Sequence, residues 1–497
     1  MATGCPVHHH GTTKALGCTH AGFGPFGYLF ECVGHGAKPK DPPGLEFDDE
    51  LLKLLGSEGG LMHDEDRSSA DSPVPAGYTF FAQFVDHDIT LDTQSKLNEL
   101  GQVATTLRNQ RTASLDLDCV YGLGPDATPH LYDSGRQGFL ATGAGQARPW
   151  DLARSPSGVA LIGDPRNDEN IFVSQMQLLW IRFHNAMMLT HMGAGPTPAA
   201  RFEAVQRQVR HHYQWIVLHD LLRRVCHRET YRFALDLIKE AAGERLARLR
   251  DAGRAGLPAQ YPLCFTHQQG HATPMPVEFS VAAYRFGHTT VRDAYPANAG
   301  QLDIELFDER FGVEGFSGLP EELAIDWRML LEVDPAVTPV HTKAFDHLFP
   351  SELIVMPDPI VGAGASADNR SLAFRNLVRG RSLGLASGEE IAGKLAPHYP
   401  GLVEVLPREQ IFAREAFPGK ARVAEAAEAL CEDGTPLFFY LMREAEIKSD
   451  CAALGPAGTA ILMEVFGRML LECGTSFFFN YAEKKNGQRE YLGNFRP

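Results

Sequence analysis

Four segments of this 497-residue chain carry side chains whose types and spacing can do chemistry. In residues 80–91, FFAQFVDHDITL, Gln83 and His87 stand four apart and share one face of a helix. Asp88 then lies about 100° round and serves a different neighbour. Such a helix offers an imidazole to a cavity while anchoring something behind it; a charged surface turn is the plainer alternative. In residues 112–122, TASLDLDCVYG, oxygen-bearing side chains fall at alternate positions: Thr112, Ser114, Asp116 and Asp118. Calcium takes roughly six to eight oxygens, often from alternate loop positions and backbone carbonyls. The loop lacks the glycine and final glutamate of an EF-hand, and an edge strand with polar residues outward fits it too. In residues 163–170, GDPRNDEN, Arg166 at a helix start can stabilise a developing anion. The Asn and Asp residues there can equally be ordinary caps. In residues 277–289, VEFSVAAYRFGHT, His288 sits in an apolar stretch beside Gly287, which allows something flat and large to approach. A hydrogen-bonded core histidine is the alternative.

Helices must position these residues. Residues 171–192 are an apolar-rich run with few breakers, and Val205, Val209, Tyr213, Ile216, Leu218 and Leu221 recur at helical spacing. Residues 456–471 read as a buried helix after a Gly-Pro start. Alternating strands are scarce, and there is no internal repeat. The expected fold is mainly α: one large helical domain over residues 71–497, with an irregular Gly- and Pro-rich extension over 1–70 packing on it. Cys5, His8, His9, His10, Cys18, His20, Cys32 and His35 cluster in that extension but match no zinc spacing, so it reads as a strapping arm. Gly362, Gly364 and Ala367 approximate a dinucleotide fingerprint. Only Ile360 and Val361 precede them as a strand, so a loop is expected.

Composition narrows the partners. Lys plus Arg is 46 and Asp plus Glu is 62, a net charge of −16, which argues against nucleic acid and anionic membranes. No run approaches the roughly 18 apolar residues of a membrane helix. Residues 15–30 are broken by Gly and Pro and read as no export signal. The nine cysteines are odd in number and include no CxxC pair, which suits a reducing cytoplasm better than a disulfide framework.

Taken in order, FVDHD, TASLDLDCVYG, GDPRNDEN, LLWIRFHN, EFSVAAYRFGH and RNLVRG resemble the animal-type haem peroxidase family, the peroxidase–cyclooxygenase superfamily, in its bacterial form. The resemblance covers about residues 75–475. It implies haem b with His288 as proximal iron ligand and Asn376 accepting the imidazole N–H. It implies His87 as distal base, Arg166 as its partner, and Gln83 binding water or an anion over the iron. Arg285 would be a further haem neighbour. Asp88, Thr112, Ser114 through its carbonyl, Asp116 and Asp118 resemble the calcium set, with Asp88 tying the ion to the distal helix. Asp86 and Glu169 match carboxylates that form haem esters in some members; Asn170 stands where others have the Met of a sulfonium link. The implied activity is reduction of hydrogen peroxide, through a ferryl intermediate, with one-electron oxidation of small aromatic or halide donors.

Two other functions stand beside it. A fatty-acid oxygenase of the same superfamily uses a Tyr three residues before the proximal His. Here that place is Arg285, and Tyr284, one residue back, is expected to turn away from a substrate channel. A non-catalytic, calcium-stabilised interaction protein is the third reading, disfavoured because His87, Arg166, His288 and Asn376 are all present.

Overall fold

The computed structural model describes residues 26–30, 47–91, 107, 109–191, 197–252, 274–300, 304–307, 315–473, 475–479, 481–483 and 489–491. The His/Cys cluster read in the N-terminal extension lies outside them. Among the described residues, strands form only two-stranded pairs, and helices dominate.

The extension is not irregular throughout. Helix α1 (Asp49–Gly56) lies within it, started by Asp48, whose carboxylate accepts from Glu50 N at 3.0 Å. Leu51, Leu52 and Leu55 are buried on the face that meets α7 (Leu372–Ser382). The LLKLL pattern carried that signal. α2 (Gly77–Ile89) follows, with all its residues buried except Gln83 and Asp86, which are partly exposed. Its first residue must be Gly: a Cβ on Gly77 would stand 2.6 Å from Leu331 Cδ2 and 2.9 Å from Leu330 O. α3 (Asp118–Tyr121) is one short turn after the 112–117 loop, which is a series of bends and not a strand.

α4 (Ile171–Thr190) begins where Asn170 accepts from Val173 N at 2.9 Å. α5 (Pro198–Ile216) is capped by Thr197 and runs into a π-helical turn over Val217–Leu221. α6 (Arg228–Ala252) lies against α9 (Pro456–Glu472), which also packs on α8 (Leu437–Ser449). α9 is mostly apolar and every one of its residues is buried, as in a central helix. Its polar side chains find partners inside the core: Arg468 Nε donates to Glu472 at 2.7 Å, and Glu464 accepts from Tyr399 Oη at 2.7 Å. α2 packs between α4 and a 3₁₀ turn over Ala283–His288, so the segments holding His87 and His288 are adjacent in space. Thr79 and Thr290 share a hydrogen bond of 3.0 Å across that contact.

No described helix is long and apolar enough to cross a membrane. Cys119, Cys226, Cys431 and Cys451 are free, but Cys473 is disulfide-bonded, contrary to the expectation of unpaired thiols. Gly362 and Gly364 lie in turns after the short helix Asp358–Val361, not after a strand, so the dinucleotide pattern is a loop.

Candidate active site

A cavity of about 290 Å³ opens between α2 and the Ala283–His288 turn. Gln83, Asp86 and His87 reach it from α2, Glu169 and Asn170 from the start of α4, Tyr284, Arg285 and His288 from the turn, and Arg375 from α7. The remaining wall is largely apolar, with Leu306, Phe307, Leu353 and Met356 among it. A second cavity of about 190 Å³ shares Asp86 and Arg285 with the first and adds Ser280, Arg166 and Arg379.

His87 is buried, and its hydrogen bonds fix its tautomer. Nδ1 lies 2.7 Å from Asn167 Oδ1. Asn167 Nδ2 donates to Gln177 Oε1 at 2.8 Å, and Gln177 Nε2 donates to Cys119 O at 3.0 Å. Each amide is oriented by the next, and the chain ends on a carbonyl that can only accept. Asn167 therefore presents oxygen, His87 Nδ1 carries the proton, and Nε2 is left with a lone pair. Burial, and then the charge of Arg166, push the His87 pKa down to about 3. Sequence reading missed Asn167 and Gln177; Asn167 passed as an ordinary helix cap, and Gln177 lay inside the apolar-rich run of 171–192.

Arg166 departs from expectation. Its guanidinium does not meet the His87 imidazole. Nη2 donates to His87 O at 3.1 Å, to Thr90 O at 2.5 Å and to Asp164 Oδ2 at 2.8 Å. The last carbonyls of α2 are orphan acceptors, and a cation suits the negative end of a helix. Asp164 is fully buried between Arg166 and Arg111. Burial raises its pKa, but the two guanidiniums more than offset this and hold it near about 2. Arg166 thus fixes the end of α2, and Glu169 Oε1 lies 3.8 Å from His87 Nε2.

Glu169 also accepts from Gln83 Nε2, and Gln83 Oε1 accepts from Asn170 Nδ2 at 3.3 Å. Burial lifts the Glu169 pKa to about 7, against the pull of Arg166. Gly315 permits the backbone contact behind it: at φ +94°, a Cβ there would stand 2.2 Å from Glu169 O. Asp86 is likewise raised by burial, opposed by Arg166 and Arg285, and accepts from Thr90 Oγ1 at 3.0 Å.

On the other wall, Asn376 Nδ2 faces His288 Nδ1 at 3.0 Å, while Asn376 Oδ1 accepts from Arg285 Nη1 at 2.7 Å. The expected roles are exchanged: the amide oxygen goes to Arg285, because a guanidinium has donors only. Tyr284 corrects another expectation. The segment is 3₁₀, with three residues per turn, and it sets Tyr284, Gly287 and His288 all on the cavity wall. The Tyr284 hydroxyl is buried without a hydrogen-bond partner, as is that of Ser280.

Behind α2, Asp88 accepts from Leu117 N at 3.1 Å and Cys119 N at 3.4 Å. Thr112 Oγ1 contacts both Asp116 Oδ2, at 2.9 Å, and Asp118 Oδ2, at 3.0 Å. Ser114 O accepts from Asp116 N at 3.0 Å. Asp116 Oδ1 is buried with no partner. Burial, and then Asp118, lift the Asp88 pKa to about 7; burial and the neighbouring carboxylates raise Asp116 too. The donor chemistry suits a hard cation. Among the described residues, however, no group of three His, Cys, Asp or Glu is drawn together into a metal-holding cluster.

The family model for animal haem peroxidases matches residues 94–387, well over half the chain. The chain belongs to the animal haem peroxidase family. It is an oxidoreductase of the haem peroxidase class. The match includes Arg166, Glu169, His288 and Asn376; Gln83, Asp86 and His87 lie before it. No curated protein matches the sequence. The fold is similar to peroxidase A from Dictyostelium discoideum, at 14% identity and a TM-score of 0.59, over 92% of this chain and 88% of that one. It is also similar to the fatty acid alpha-dioxygenase of Oryza sativa, at 15% identity and a TM-score of 0.57, over 93% and 83%. The Arabidopsis thaliana fatty acid alpha-dioxygenase gives 16% and 0.56, over 90% and 74%. The cavity suits the haem that the family name implies: two histidines from separate segments face one void, its wall is largely apolar, and Arg285 and Arg375 add positive charge to that wall.

Proposed function

We propose that this protein reduces hydrogen peroxide and oxidises small aromatic or halide donors one electron at a time. The observation that carries this reading is His87, a buried imidazole whose proton is pinned on Nδ1 and whose Nε2 is free beside the cavity. His288 would hold haem b, with the guanidiniums of Arg285 and Arg375 on the same cavity wall to face its carboxylates; bound there, it supplies the iron that activates peroxide and accepts electrons from the donor. His87 Nε2 takes a proton from hydrogen peroxide and returns it to the departing oxygen. Because His87 stays neutral down to about pH 3, the base is available throughout the physiological range. Arg166 holds α2 in place and keeps His87 uncharged. If His288 holds the iron, its Nδ1 would need an acceptor. A half-turn of the Asn376 amide would supply one, with Arg285 then released toward Asp86, which already lies within its electrostatic reach.

One observation favours the oxygenase as a second reading: Tyr284 lines the cavity, and its buried hydroxyl has no hydrogen-bond partner. The deciding experiment gives the haem-loaded protein peroxide with a phenol or halide and, separately, linoleate, arachidonate or palmitate with oxygen. Peroxide-dependent donor oxidation without regiospecific fatty-acid oxygenation is expected. Oxygenation that fails in Tyr284→Phe, with no donor oxidation, would reverse the assignment.

We also propose calcium at Asp88, Thr112, Ser114, Asp116 and Asp118. A cation would answer the orphaned Asp116 oxygen and the mutual repulsion of the carboxylates. Calcium at a hundredfold excess over its Kd adds about 2.7 kcal/mol to stability. Chelation, or Asp116→Ala, is expected to lower both the melting temperature and the rate of reaction with peroxide, since Asp88 adjoins His87. Elemental analysis finding no calcium in fully active protein would exclude the site.

Asp86 and Glu169 are proposed to form haem esters, driven by peroxide. Both line the cavity from separate segments, so the links should form independently. Mass spectrometry after acid denaturation should find haem on the chain of peroxide-treated parent, partly in Asp86→Ala and Glu169→Ala, and not in the double variant. Complete release of unmodified haem from the parent would show that the two carboxyls are only neighbours.

A further inference from the structure

Tyr121 ends α3, and its ring is fully buried against His184 of α4. Tyr121 Oη lies 3.0 Å from His184 Nδ1, and His184 Nε2 lies 2.9 Å from Gly138 O. The carbonyl can only accept, so Nε2 carries the ring proton and Nδ1 is a bare lone pair. The phenol O–H is therefore the donor, aimed at a nitrogen base. This is not the common arrangement here. Tyr28, Tyr132 and Tyr231 donate to backbone carbonyls, which cannot take the proton.

We propose that Tyr121 and His184 form a redox site: Tyr121 gives one electron to an oxidant while its hydroxyl proton passes to His184 Nδ1. The Tyr121 O–H bond breaks and an N–H bond forms on His184. The products are a neutral phenoxyl and an imidazolium, and the electron reduces a strong one-electron oxidant of the class that peroxide generates in haem proteins. Reduction reverses both transfers, the proton returning from Nδ1. The inference goes beyond the proposed peroxidase activity, and its test supplies its own oxidant.

Three features support the assignment. An oxidised phenol is a very strong acid, so His184 can accept its proton even though burial pushes the imidazole pKa down to about 4. Transfer along an existing hydrogen bond needs no motion in a close-packed interior. Bonds also connect the pair to the cavity: Cys119, two residues before Tyr121, accepts from Gln177, which orients Asn167 and so His87. Toward solvent, the partly exposed Tyr132 donates to Tyr121 O at 2.8 Å, and both tyrosines pack edge-on to Phe202. The Arg210 guanidinium, 5.4 Å from the Tyr121 ring centroid, disfavours the added positive charge, so the site yields only to strong oxidants. The carboxylates Tyr78 and Tyr399 meet, on Asp220 and Glu464, are competing bases and serve as internal controls.

The test is photo-oxidation of the full chain, with and without haem, by flash-generated ruthenium(III) tris-bipyridine, followed by freeze-trapping and high-field electron paramagnetic resonance. The parent should give a tyrosyl radical whose g-shift reports a hydrogen bond from imidazole, formed more slowly in deuterated water. Tyr121→Phe keeps the ring packing and should lose that signal, whereas Tyr399→Phe should retain it. His184→Gln should remove the imidazole g-shift and nitrogen coupling. An unchanged spectrum and yield in Tyr121→Phe of native circular dichroism, or no tyrosyl radical in the parent, would overturn the proposal. Because the haem-free protein is tested as well, failure here is separable from failure of the peroxidase reading.

Discussion

Replacing His87 with alanine is expected to slow the reaction with hydrogen peroxide on the order of 10²- to 10⁴-fold while leaving haem bound. The methyl group keeps none of the proton traffic. Nothing nearby substitutes for Nε2: a guanidinium has donors only, and that of Arg166 is committed to the carbonyls of His87 and Thr90 and to Asp164. Glu169 lies 3.8 Å from Nε2 but is tied to Gln83 and titrates near about 7, so it is only partly available as a base at neutral pH. His288→Ala should behave oppositely. It removes the proposed iron ligand, so haem occupancy itself should fall, with the fold retained by circular dichroism. Stopped-flow absorbance with peroxide and quantitative haem extraction separate the two. Normal peroxide kinetics in His87→Ala, or full haem in His288→Ala, would remove those residues from their roles.

What the sequence revealed and what it hid follow from the physics of each residue. The buried helices were legible because apolar periodicity over many residues is a summed signal: the run from Ile171 and the run from Pro456 both begin where a cap or a helix-start proline stands. Gln83, Asp86 and His87 fell on one wall because a helical i, i+3, i+4 pattern fixes their direction before any tertiary contact. Arg166 was misplaced because a long side chain goes where its unmet partners are, and sequence spacing showed neither the orphan carbonyls ending α2 nor the buried charge of Asp164. The Asn376 amide was read the wrong way round for a similar reason: its orientation is set by Arg285, on another segment. Tyr284 was turned wrongly because an α-helical angle was applied to a 3₁₀ turn. α1 was lost in a stretch whose glycines and prolines outweighed a short leucine repeat.

The pH dependence of the peroxide reaction should be governed by Asn167, which sequence spacing did not single out. In the parent, Asn167 Oδ1 holds the proton on Nδ1 of His87, and burial with Arg166 keeps the ring neutral. The rate should therefore be nearly flat from neutral pH down to about pH 4. Asn167→Asp replaces a neutral acceptor with a carboxylate at the same place, 2.7 Å from Nδ1 in the parent. An adjacent negative charge favours the protonated imidazole, so the His87 pKa rises. As pH falls through the raised value, Nε2 gains a proton and the base is lost, so the rate should drop with acid where the parent's does not, and recover as pH rises. Asn167→Leu has nearly the same volume but no acceptor. The ring proton is then free to move to Nε2, where Glu169 can receive it, and the lone pair turns away from the cavity. Loss of such an orienting partner typically costs about 10- to 100-fold, and here it should fall on the peroxide step and not on haem binding. Pre-steady-state rates from pH 4 to pH 9, with haem content measured for each variant, provide the check. An Asn167→Asp profile that superimposes on the parent, or an Asn167→Leu rate within a factor of two of it, would show that the Asn167 hydrogen bond does not set the state of His87. A rate that falls in Asn167→Asp only above neutral pH would place the critical titration on another group, with Glu169 the first to examine because burial already lifts it to about 7.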